Sequence, residues 1–441
     1  MTLHDIEITS AETLAPCVSF ITMGCAKNEV DSANMKEKVQ RAGYRVIDEV
    51  EEADAVIINT CSFIQDATEE SLDMIFQVAG LPRYASGDAK VIVAGCMPAR
   101  YGDELEAEVT EASAFLPCSK EDDIVALLEG LVGPASAGCS DYQPTAGPYS
   151  AYVKISDGCD RFCAYCTIPY IRGRYHSFTY DTIFEHVAIA VENGVREIIL
   201  IAQDTGRWGT DFETPSSLSW LMRSLAVAVP QTWFRVMYLQ PEGITDEFLE
   251  VMRSHDNIAN YLDIPFQHVS KCVLRSMNRR GSRERFEELI SHIRETIPGI
   301  TLRTTLIAGY PGETDEEFEE LCDFVSECEF DYIGVFAYSR EEGTRAAELP
   351  DQIDDEEKRE RAQQLRDLAD AACTAHISER IGSKIQVLVE GFEEDGQLYG
   401  RALSQAPDVD GNTYLDGGVP GQIVDATVVD TLFYEMEVEV R

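Results

Sequence analysis

The first part of the chain alternates between short apolar runs and longer helical patterns. Apolar, β-prone runs cover residues 18–24, 55–60 and 90–95, and helical patterns cover 28–42 and 66–79. Apolar runs of this length, bounded by turn residues and separated by helices, are typical of buried strands in a parallel sheet. The pattern therefore predicts an N-terminal doubly wound parallel sheet.

The middle of the chain repeats strand and helix patterns six times. The predicted strands cover 151–155, 197–201, 233–238, 261–264, 301–308 and 332–336, with helical patterns such as 180–193 and 283–296 between them. Repeated strand–helix units predict parallel strands that form an open or complete barrel. We expect a central open (β/α) barrel.

The periodicity changes again near the end of the chain. A charged helix is predicted over 354–380, and short alternating strands with turns at 394–396 and 410–412 follow from Lys384 onward. No helical period is visible there. This pattern predicts a small antiparallel β-barrel of about 60 residues.

Length and composition agree with several domains. The chain has 441 residues, of which 44% are hydrophobic and 26% charged, as in ordinary globular proteins. The stretch from 133 to 148 is rich in Gly, Ala, Ser and Pro, which is typical of a linker. We therefore expect an α/β multi-domain protein with an N-terminal domain over 16–133, a linker over 134–148, a central barrel domain over 149–380 and the small β-barrel over 381–441.

Acidic residues greatly outnumber basic ones. The chain has 79 Asp and Glu against 36 Lys and Arg, a formal net charge of −43 at pH 7. Such a surface does not hold a phosphate backbone by charge, so general nucleic-acid binding is disfavoured and a basic partner is favoured. The alternative is that the acidity serves only solubility or adaptation to salt.

The sequence also indicates the compartment. No apolar run reaches the roughly 18 residues of a membrane helix, and residues 1–16 lack the basic and apolar regions of a signal peptide. We therefore expect a cytoplasmic protein with no membrane partner. In a reducing compartment, 13 cysteines point to metal ligation or catalysis at some of them rather than to a disulfide framework.

Three cysteines lie close together directly after the first predicted barrel strand. They form the run Cys159-Asp-Arg-Phe-Cys163-Ala-Tyr-Cys166. Three thiolates can hold three irons of a [4Fe–4S] cluster and leave the fourth iron open to substrate, whereas zinc sites usually close with four ligands. The C-terminal end of a barrel strand is also where catalysis is found. Three unrelated buried thiols are the alternative reading.

This cysteine run resembles that of the radical S-adenosylmethionine superfamily. The resemblance implies a [4Fe–4S] cluster on Cys159, Cys163 and Cys166 whose open iron chelates S-adenosylmethionine. It also implies that an electron from the cluster cleaves the cofactor and releases a 5′-deoxyadenosyl radical. No residue beyond the cluster ligands is assigned a catalytic role.

Three further cysteines recur at regular intervals in the N-terminal domain. Cys25, Cys61 and Cys96 are 36 and 35 residues apart, about one strand–helix–strand unit, and each follows a predicted strand. Ligands of open parallel sheets bind beyond those strand ends, so the three thiols should converge at one edge. The alternative is that they are small core residues, since free cysteines are often buried.

The N-terminal pattern, with Gly24-Cys25-Ala26-Lys27-Asn28, Asn59-Thr60-Cys61 and Gly95-Cys96, resembles the methylthiotransferases. The resemblance extends from about residue 17 to residue 441. It implies a second [4Fe–4S] cluster on these three cysteines, sulfur transfer at its open iron, and a substrate-binding TRAM domain in the C-terminal barrel. It also implies two uses of S-adenosylmethionine, as methyl donor and as radical source, and an electron donor such as flavodoxin or ferredoxin.

Other residues at predicted strand ends are candidates for cofactor contact. Similarity to family segments suggests this role for six residues: Gln203, Asp204, Gly309, Pro311, Gly312 and Glu313. A plain turn is an equal reading of the 309–314 segment. His268 suits a structural role better than proton transfer, and Arg303, inside a barrel strand, needs an anionic partner for which a substrate carboxylate is one candidate.

Two branches of the family act on different substrates, a transfer-RNA adenosine or an aspartate of small-subunit ribosomal protein twelve. The segments 24–28, 262–268 and 277–282 resemble the ribosomal-protein branch. Residues 383–441 carry 12 acidic and 3 basic residues, a balance of −9, which suits a basic protein better than tRNA. The expected function is methylthio transfer to the aspartate β-carbon. The alternatives are a tRNA methylthiotransferase and a non-catalytic two-cluster electron-transfer protein.

Overall fold

The computed structural model describes residues 15–135 and 149–441, which form two compact units divided near residue 143. Most of the predicted linker, residues 136–148, lies outside the described residues. The first unit holds the N-terminal domain, and the second holds the central and C-terminal domains. No helix in the described ranges is long and apolar enough to cross a membrane.

The N-terminal unit is a five-stranded parallel sheet with strand order β2-β1-β3-β4-β5. The strands are β1 (Cys17–Thr22), β2 (Arg45–Val46), β3 (Ala55–Thr60), β4 (Lys90–Gly95) and β5 (Ala114–Pro117). The helices are α1 (Ala26–Arg41), α2 (Gln65–Ala79), α3 (Pro82–Ala85), α4 (Cys96–Tyr101), α5 (Asp103–Glu108) and α6 (Ile124–Val132), with 3₁₀ turns at Val50–Glu52 and Cys118–Asp123.

Helices cover both faces of this sheet, as the doubly wound prediction requires. On one face, Met35 of α1 and Leu128 of α6 pack on Ile57 and other strand residues. On the other face, Ile75 of α2 packs with Met97 of α4. Burial on both faces explains why the central strands contain so few polar residues.

The central domain contains six parallel strands in two three-stranded sheets, ordered β10-β9-β6 and β11-β12-β13. An isolated bridge joins Phe234, in the first sheet, to Ile258, which precedes the first strand of the second sheet. The strands are β6 (Ser150–Lys154), β7 (Ser156–Asp157), β8 (His176–Ser177), β9 (Glu197–Ile201), β10 (Trp233–Val236), β11 (Tyr261–Asp263), β12 (Thr301–Ala308) and β13 (Tyr332–Ala337). Within the described residues no pairing joins β13 to β6, so the barrel is open as predicted.

Eight α-helices follow or connect these strands. They are α7 (Ile168–Ile171), α8 (Tyr180–Glu192), α9 (Leu218–Ala228), α10 (Asp246–Ser254), α11 (Lys271–Ser276), α12 (Arg283–Thr296), α13 (Asp315–Glu327) and α14 (Asp355–Ser378), with 3₁₀ turns at Thr205–Arg207, Pro241–Gly243 and Ala346–Glu348. Their apolar faces form one continuous core with the strands. The short hairpin of β7 and β8 closes the loop that carries Cys159, Cys163 and Cys166.

The C-terminal domain is a closed five-stranded barrel with strand order β14-β15-β16-β18-β17. Its strands are β14 (Lys384–Phe392), β15 (Leu398–Ala402), β16 (Thr413–Leu415), β17 (Ile423–Leu432) and β18 (Glu435–Val440). The prediction of an antiparallel barrel holds for every pair except β16 and β18, which are parallel because the chain passes through β17 between them.

The small barrel is anchored at the N-terminal ends of the central strands. Arg401 donates to Glu197, the first residue of β9, at 2.7 Å, and the Tyr261 hydroxyl at the start of β11 donates to Asp410 at 2.6 Å. Glu197 also accepts from Arg235 at 2.7 Å, and all three members of this charged group are buried. The opposite, C-terminal ends of the strands are therefore left to the loops that carry the candidate site.

The strands that the sequence did not predict are short. Strands β2, β5, β7 and β8 have two to four residues, too few to show a period. The predicted strand over 18–24 ends earlier, at Thr22, because Gly24 adopts a positive φ of 95° that turns the backbone out of the sheet.

Candidate functional site

The three N-terminal cysteines lie at the same edge of one sheet. Cys25 is the N-cap of α1 just after β1, Cys61 directly follows β3, and Cys96 is the first residue of α4 after β4. Strands β1, β3 and β4 are hydrogen-bonded neighbours, so their carboxyl ends lie side by side. The predicted placement of the three thiols beyond neighbouring strand ends is confirmed.

Asn28 links the loops at this edge of the sheet through hydrogen bonds. Its side-chain N–H₂ group donates to the carbonyl oxygens of Met23, at 2.9 Å, and Thr60, at 3.0 Å. Its Oδ1 atom lies 3.7 Å from the sulfur of Cys96 and 4.0 Å from that of Cys25. One buried amide therefore connects the loops after β1 and β3 and contacts two of the three cysteines.

Two glycines allow these loops to approach one another. A Cβ atom on Gly24 would lie 3.0 Å from the Cys61 sulfur, and one on Gly95 would lie 2.2 Å from Oδ1 of Asn59. Both glycines have a positive φ, 95° and 94°, that other residues rarely adopt. The backbone at this edge is thus shaped for close packing around Cys61 and its neighbours.

The donor chemistry of this edge suits an iron–sulfur cluster. Thiolates are the usual ligands of such clusters, and three of them leave one iron free for another ligand. In the described ranges, no three Cys, His, Asp or Glu side chains are grouped closely enough to hold a single metal ion. The fit therefore rests on the three thiols and the shape of the backbone that carries them.

Replacing Asn28 with alanine is expected to lower the thermal unfolding temperature of the N-terminal unit. Two buried carbonyl groups would lose their donor, at a cost of about 1–3 kcal/mol for each group left unsatisfied. Circular dichroism of the metal-free chain measures the transition. Asn34→Ala is the matched control, because Asn34 lies on the same helix and makes no side-chain hydrogen bond within the described part of the chain. Equal unfolding temperatures for the two variants would contradict this role.

The second group of cysteines lies in the loop between β7 and β8. The Cys159 amide donates to Gly173 O at 3.2 Å, and the Cys166 amide donates to Cys163 O at 3.0 Å. Gly158 has a positive φ of 73°, and a Cβ atom there would lie 2.2 Å from the carbonyl oxygen of Arg174. Glycine is therefore required immediately before Cys159.

The three thiols of this loop share one electrostatic environment. Burial raises the pKa of Cys166 to about 12, and the nearby Cys163 and Cys159 sulfurs add to the rise. Burial also raises the pKa of Cys159, with Cys163 among the further causes. A cluster needs all three as thiolates, so its binding would release their protons, and the irons would balance the negative charge of the three sulfurs. These residues fit a three-thiolate cluster.

A salt bridge fixes the cysteine loop to the rest of the barrel. Arg161, between Cys159 and Cys163, donates to the buried carboxylate of Asp204 at 2.6 Å and to Glu242 at 2.8 Å. Asp204 follows β9 and Glu242 follows β10, so Arg161 connects three strand ends. Sequence reasoning missed Arg161, although a cation between two cluster ligands is a visible signal.

Gln203 and Asp157 make a second connection beside the cysteines. Gln203 Nε2 donates to Asp157 Oδ1 at 3.0 Å, and Lys154 lies 3.0 Å from the other Asp157 oxygen. Although burial acts to raise the pKa of Asp157, the charges of Lys154 and Arg172 outweigh it and lower the pKa to about 2. Gln203 and Asp204 thus lie beside the cysteine loop, and cofactor contact by them stays a prediction.

The buried side chain of Glu313 stabilises the turn after β12. Its buried carboxylate accepts from the Gly309 amide at 3.0 Å and from Arg361 at 2.9 Å, and lies 3.2 Å from His268 Nε2. Burial opposes ionisation, but hydrogen bonds from His268 and Arg361 outweigh it and lower the pKa of Glu313. Glu313 therefore stabilises the conformation of the predicted cofactor turn, which also contains Pro311 and Gly312.

His268 and Arg303 are both occupied by protein contacts. His268 is buried, accepting from the Ser270 amide at 3.0 Å and facing Glu313, in agreement with the preferred structural reading. Arg303 lies 3.3 Å from Asp263 and 3.2 Å from Asp410. Asp263 and the small barrel's Asp410 thus supply the anionic partners that a buried Arg303 needs, and contact with a substrate carboxylate stays a prediction.

Comparison with known proteins places these features in a family. Three family models match: "Uncharacterized protein family UPF0004" over residues 17–117, "Radical SAM superfamily" over 153–325 and "TRAM domain" over 381–440. In solved structures, the fold is similar to the radical S-adenosylmethionine methyltransferase TsrM from Kitasatospora setae, with a TM-score of 0.53 at 14% identity, covering 74% of this chain and 77% of that one. At that identity the likeness shows the fold alone.

Curated relatives match over almost the whole length. A protein of Trichlorobacter lovleyi named ribosomal protein uS12 methylthiotransferase RimO is 40% identical over 440 residues, covering 96% of this chain and 97% of that protein. A protein of Geotalea uraniireducens with the same name is 39% identical over 435 residues, covering 95% and 97%. Matches of this extent, together with the two cysteine groups and the C-terminal barrel, show that the chain belongs to the ribosomal protein uS12 methylthiotransferase family of radical S-adenosylmethionine enzymes.

Proposed function

We propose that this chain is an enzyme that transfers a methylthio group to the β-carbon of an aspartate in ribosomal protein uS12. The observation that carries the proposal is the pair of three-cysteine groups in separate units, one at the carboxyl ends of three parallel strands and the other in the loop between β7 and β8. The C–H bond of the aspartate β-carbon is not acidic enough for acid–base catalysis. Bound cofactors must therefore supply the reactive chemistry, and the protein must position them.

The family uses an iron–sulfur cluster and S-adenosylmethionine, and we assign two [4Fe–4S] clusters to this chain. Cys25, Cys61 and Cys96 would hold one, and Cys159, Cys163 and Cys166 the other. When bound, the second cluster supplies the electron that cleaves S-adenosylmethionine to a carbon-centred radical, and a further S-adenosylmethionine supplies the methyl group. We assign the cofactor contacts to Gln203, Asp204, Gly309, Pro311, Gly312 and Glu313. We assign the domains to 16–133, 149–380 and 381–441.

The chain's own residues hold the two sites in shape. Asn28 fixes the loops of the first cysteine group, and Arg161 fixes the loop of the second to Asp204 and Glu242. Glu313 holds the turn after β12 through the Gly309 amide.

Cleavage of S-adenosylmethionine distinguishes the proposed enzyme function from that of a non-catalytic electron carrier. The reconstituted, chemically reduced chain is expected to form 5′-deoxyadenosine, and isolated uS12 is expected to raise the yield. Chromatography of the quenched reaction measures the product. A chain that binds iron but forms no 5′-deoxyadenosine with or without uS12 would overturn the proposal, because an electron carrier needs no such reaction. We assign the reductant to the class of flavodoxin or ferredoxin.

The surface of the small barrel supports docking of a basic protein rather than tRNA. Arg401 is buried in the contact with Glu197, which leaves only Lys384 and Arg441 as exposed cations of this barrel. Its exposed acidic residues are Glu394, Asp395, Asp408, Asp416, Asp425, Asp430, Glu437 and Glu439. A surface of this sign would speed the approach of a basic partner and repel a phosphate backbone.

Reversing charges on this barrel is expected to slow association with uS12. In the triple variant Glu393→Lys, Glu394→Lys and Asp395→Lys, long-range attraction is weakened, so the association rate should fall more than the dissociation rate rises. The difference should shrink at high salt, because the Debye length is only about 8 Å at physiological ionic strength. Stopped-flow binding at two salt concentrations measures both rates.

The matched control reverses three exposed acids on helix α8 of the central domain, Asp181, Glu185 and Glu192. It changes the net charge by the same amount at a different place. Equal slowing by both triple variants would mean that only total charge matters. An unchanged association rate in the barrel variant would mean that the acidity serves solubility.

A further inference from the structure

The residues after helix α11 form hydrogen bonds with the loop that carries Cys159, Cys163 and Cys166. The Ala164 amide donates to Met277 O at 2.9 Å, and the Asn278 side chain donates to Arg161 O at 3.1 Å and Phe162 O at 3.0 Å. Phe162 and Asn278 both have positive φ values, 51° and 58°, so the two backbones are shaped to fit at this contact. The segment 277–279 is therefore held in a fixed register against the cysteine loop.

Arg279 places a positive charge against one of these cysteines. Its Nη1 atom lies 3.8 Å from the Cys163 sulfur, and its Nη2 atom donates to Pro265 O at 2.6 Å. Arg279 forms no ion pair with a carboxylate among the described residues, whereas Arg161 in the same region is paired with Asp204 and Glu242. Arg279 is thus a cation directed at a sulfur and not at a carboxylate.

The second hydrogen bond keeps this charge in place. Arginine has a rigid planar fork, so an N–H bonded to Pro265 O fixes the direction of the N–H facing Cys163. The guanidinium also stays charged at any pH of interest. Partial burial strengthens its interaction with nearby negative charge, because less water screens it.

We propose that Arg279 raises the reduction potential of the cluster held by Cys159, Cys163 and Cys166. This inference rests on the proposed assignment of a cluster to those cysteines. Reduction adds one electron to the cluster and moves no atom, so a nearby cation stabilises the reduced form more than the oxidised form. Hydrogen bonds to cluster sulfurs and local charge are established determinants of such potentials. Arg279 is a positioning residue that acts through Cys163.

The test is a redox titration of the holoenzyme with dithionite and mediators, followed by electron paramagnetic resonance. The signal that changes when S-adenosylmethionine is added identifies the cluster in question. We expect Arg279→Met to lower its midpoint, so that the reduced-to-oxidised ratio at the wild-type midpoint falls about tenfold, equivalent to about 59 mV for a one-electron couple. Arg279→Lys keeps the charge without the fork and should shift less.

The neighbouring Arg280→Met is the matched control, because Arg280 is exposed and makes no polar side-chain contact in the described part of the chain. It should leave the midpoint unchanged. If the Arg279→Met variant does not retain the cluster, the Arg279→Gln variant replaces it in the titration. Glutamine is also neutral, but it keeps an N–H donor. A neutral Arg279 variant with the signal intact and the midpoint of the wild type would overturn this inference alone. A wild-type holoenzyme without a signal that responds to S-adenosylmethionine would overturn the cluster assignment, and this inference with it.

Discussion

Replacing Cys159, Cys163 and Cys166 together with alanine is expected to abolish formation of 5′-deoxyadenosine from S-adenosylmethionine. The three thiols lie in one loop closed by β7 and β8, so removing them leaves no ligand set for the cluster that delivers the electron. About four irons per chain should remain, as expected for one [4Fe–4S] cluster on the N-terminal cysteines. Iron analysis and chromatography of the reaction products measure both effects.

A control for this variant removes three cysteines that lie outside both groups, Cys17, Cys272 and Cys322. It loses the same number of thiols and should keep both the full iron content and cofactor cleavage. Continued cleavage by the Cys159, Cys163 and Cys166 variant would show that the radical site has been assigned to the wrong cysteines.

Replacing Cys25, Cys61 and Cys96 with alanine should abolish methylthio transfer while 5′-deoxyadenosine is still formed. These cysteines belong to a separate compact unit with its own sheet, so the loop of the other group should keep its fold. Mass spectrometry of uS12 and chromatography of the cofactor products, from the same reaction, separate the two outcomes. Methylthiolated uS12 made by this variant would contradict the assignment of sulfur transfer to the N-terminal group.

Sequence reasoning predicted the features that depend on local pattern. The apolar runs of β3, β4, β9 and β12 coincide with the predicted strands at 55–60, 90–95, 197–201 and 301–308, because strands buried on both faces admit few polar residues. Regular spacing placed Cys25, Cys61 and Cys96 after strands of one parallel sheet, and the topology of such sheets brings their ends to one edge.

The supporting contacts could not be predicted, because they join residues far apart in the chain. Arg303 contacts Asp410, which lies 107 positions away in the sequence, and Arg279 contacts Cys163, which lies 116 positions away. A single sequence shows that a buried arginine needs a partner, but the fold decides which one. For Arg303 the fold supplies Asp263 of the central domain and Asp410 of the small barrel.

Motif similarity also left the roles of individual residues open. Asn28 and Arg279 lie within segments that identified the family branch, yet their contacts with cysteine sulfurs emerge only from the three-dimensional arrangement. Glu313 was predicted to contact the cofactor, and only the structure shows that its carboxylate also accepts hydrogen bonds from the Gly309 amide and Arg361. A motif gives the position of a residue along the chain, and the direction of its side chain depends on packing.

The most direct test of the proposed function is mass spectrometry of both possible substrates after one reaction. The reconstituted, reduced chain is incubated with S-adenosylmethionine, a sulfide source, uS12 and tRNA in the same vessel. We expect a uS12 peptide to gain a methylthio group in place of one hydrogen on an aspartate, while tRNA adenosines stay unmodified. Methylthiolated adenosine in the tRNA with unmodified uS12 would contradict it.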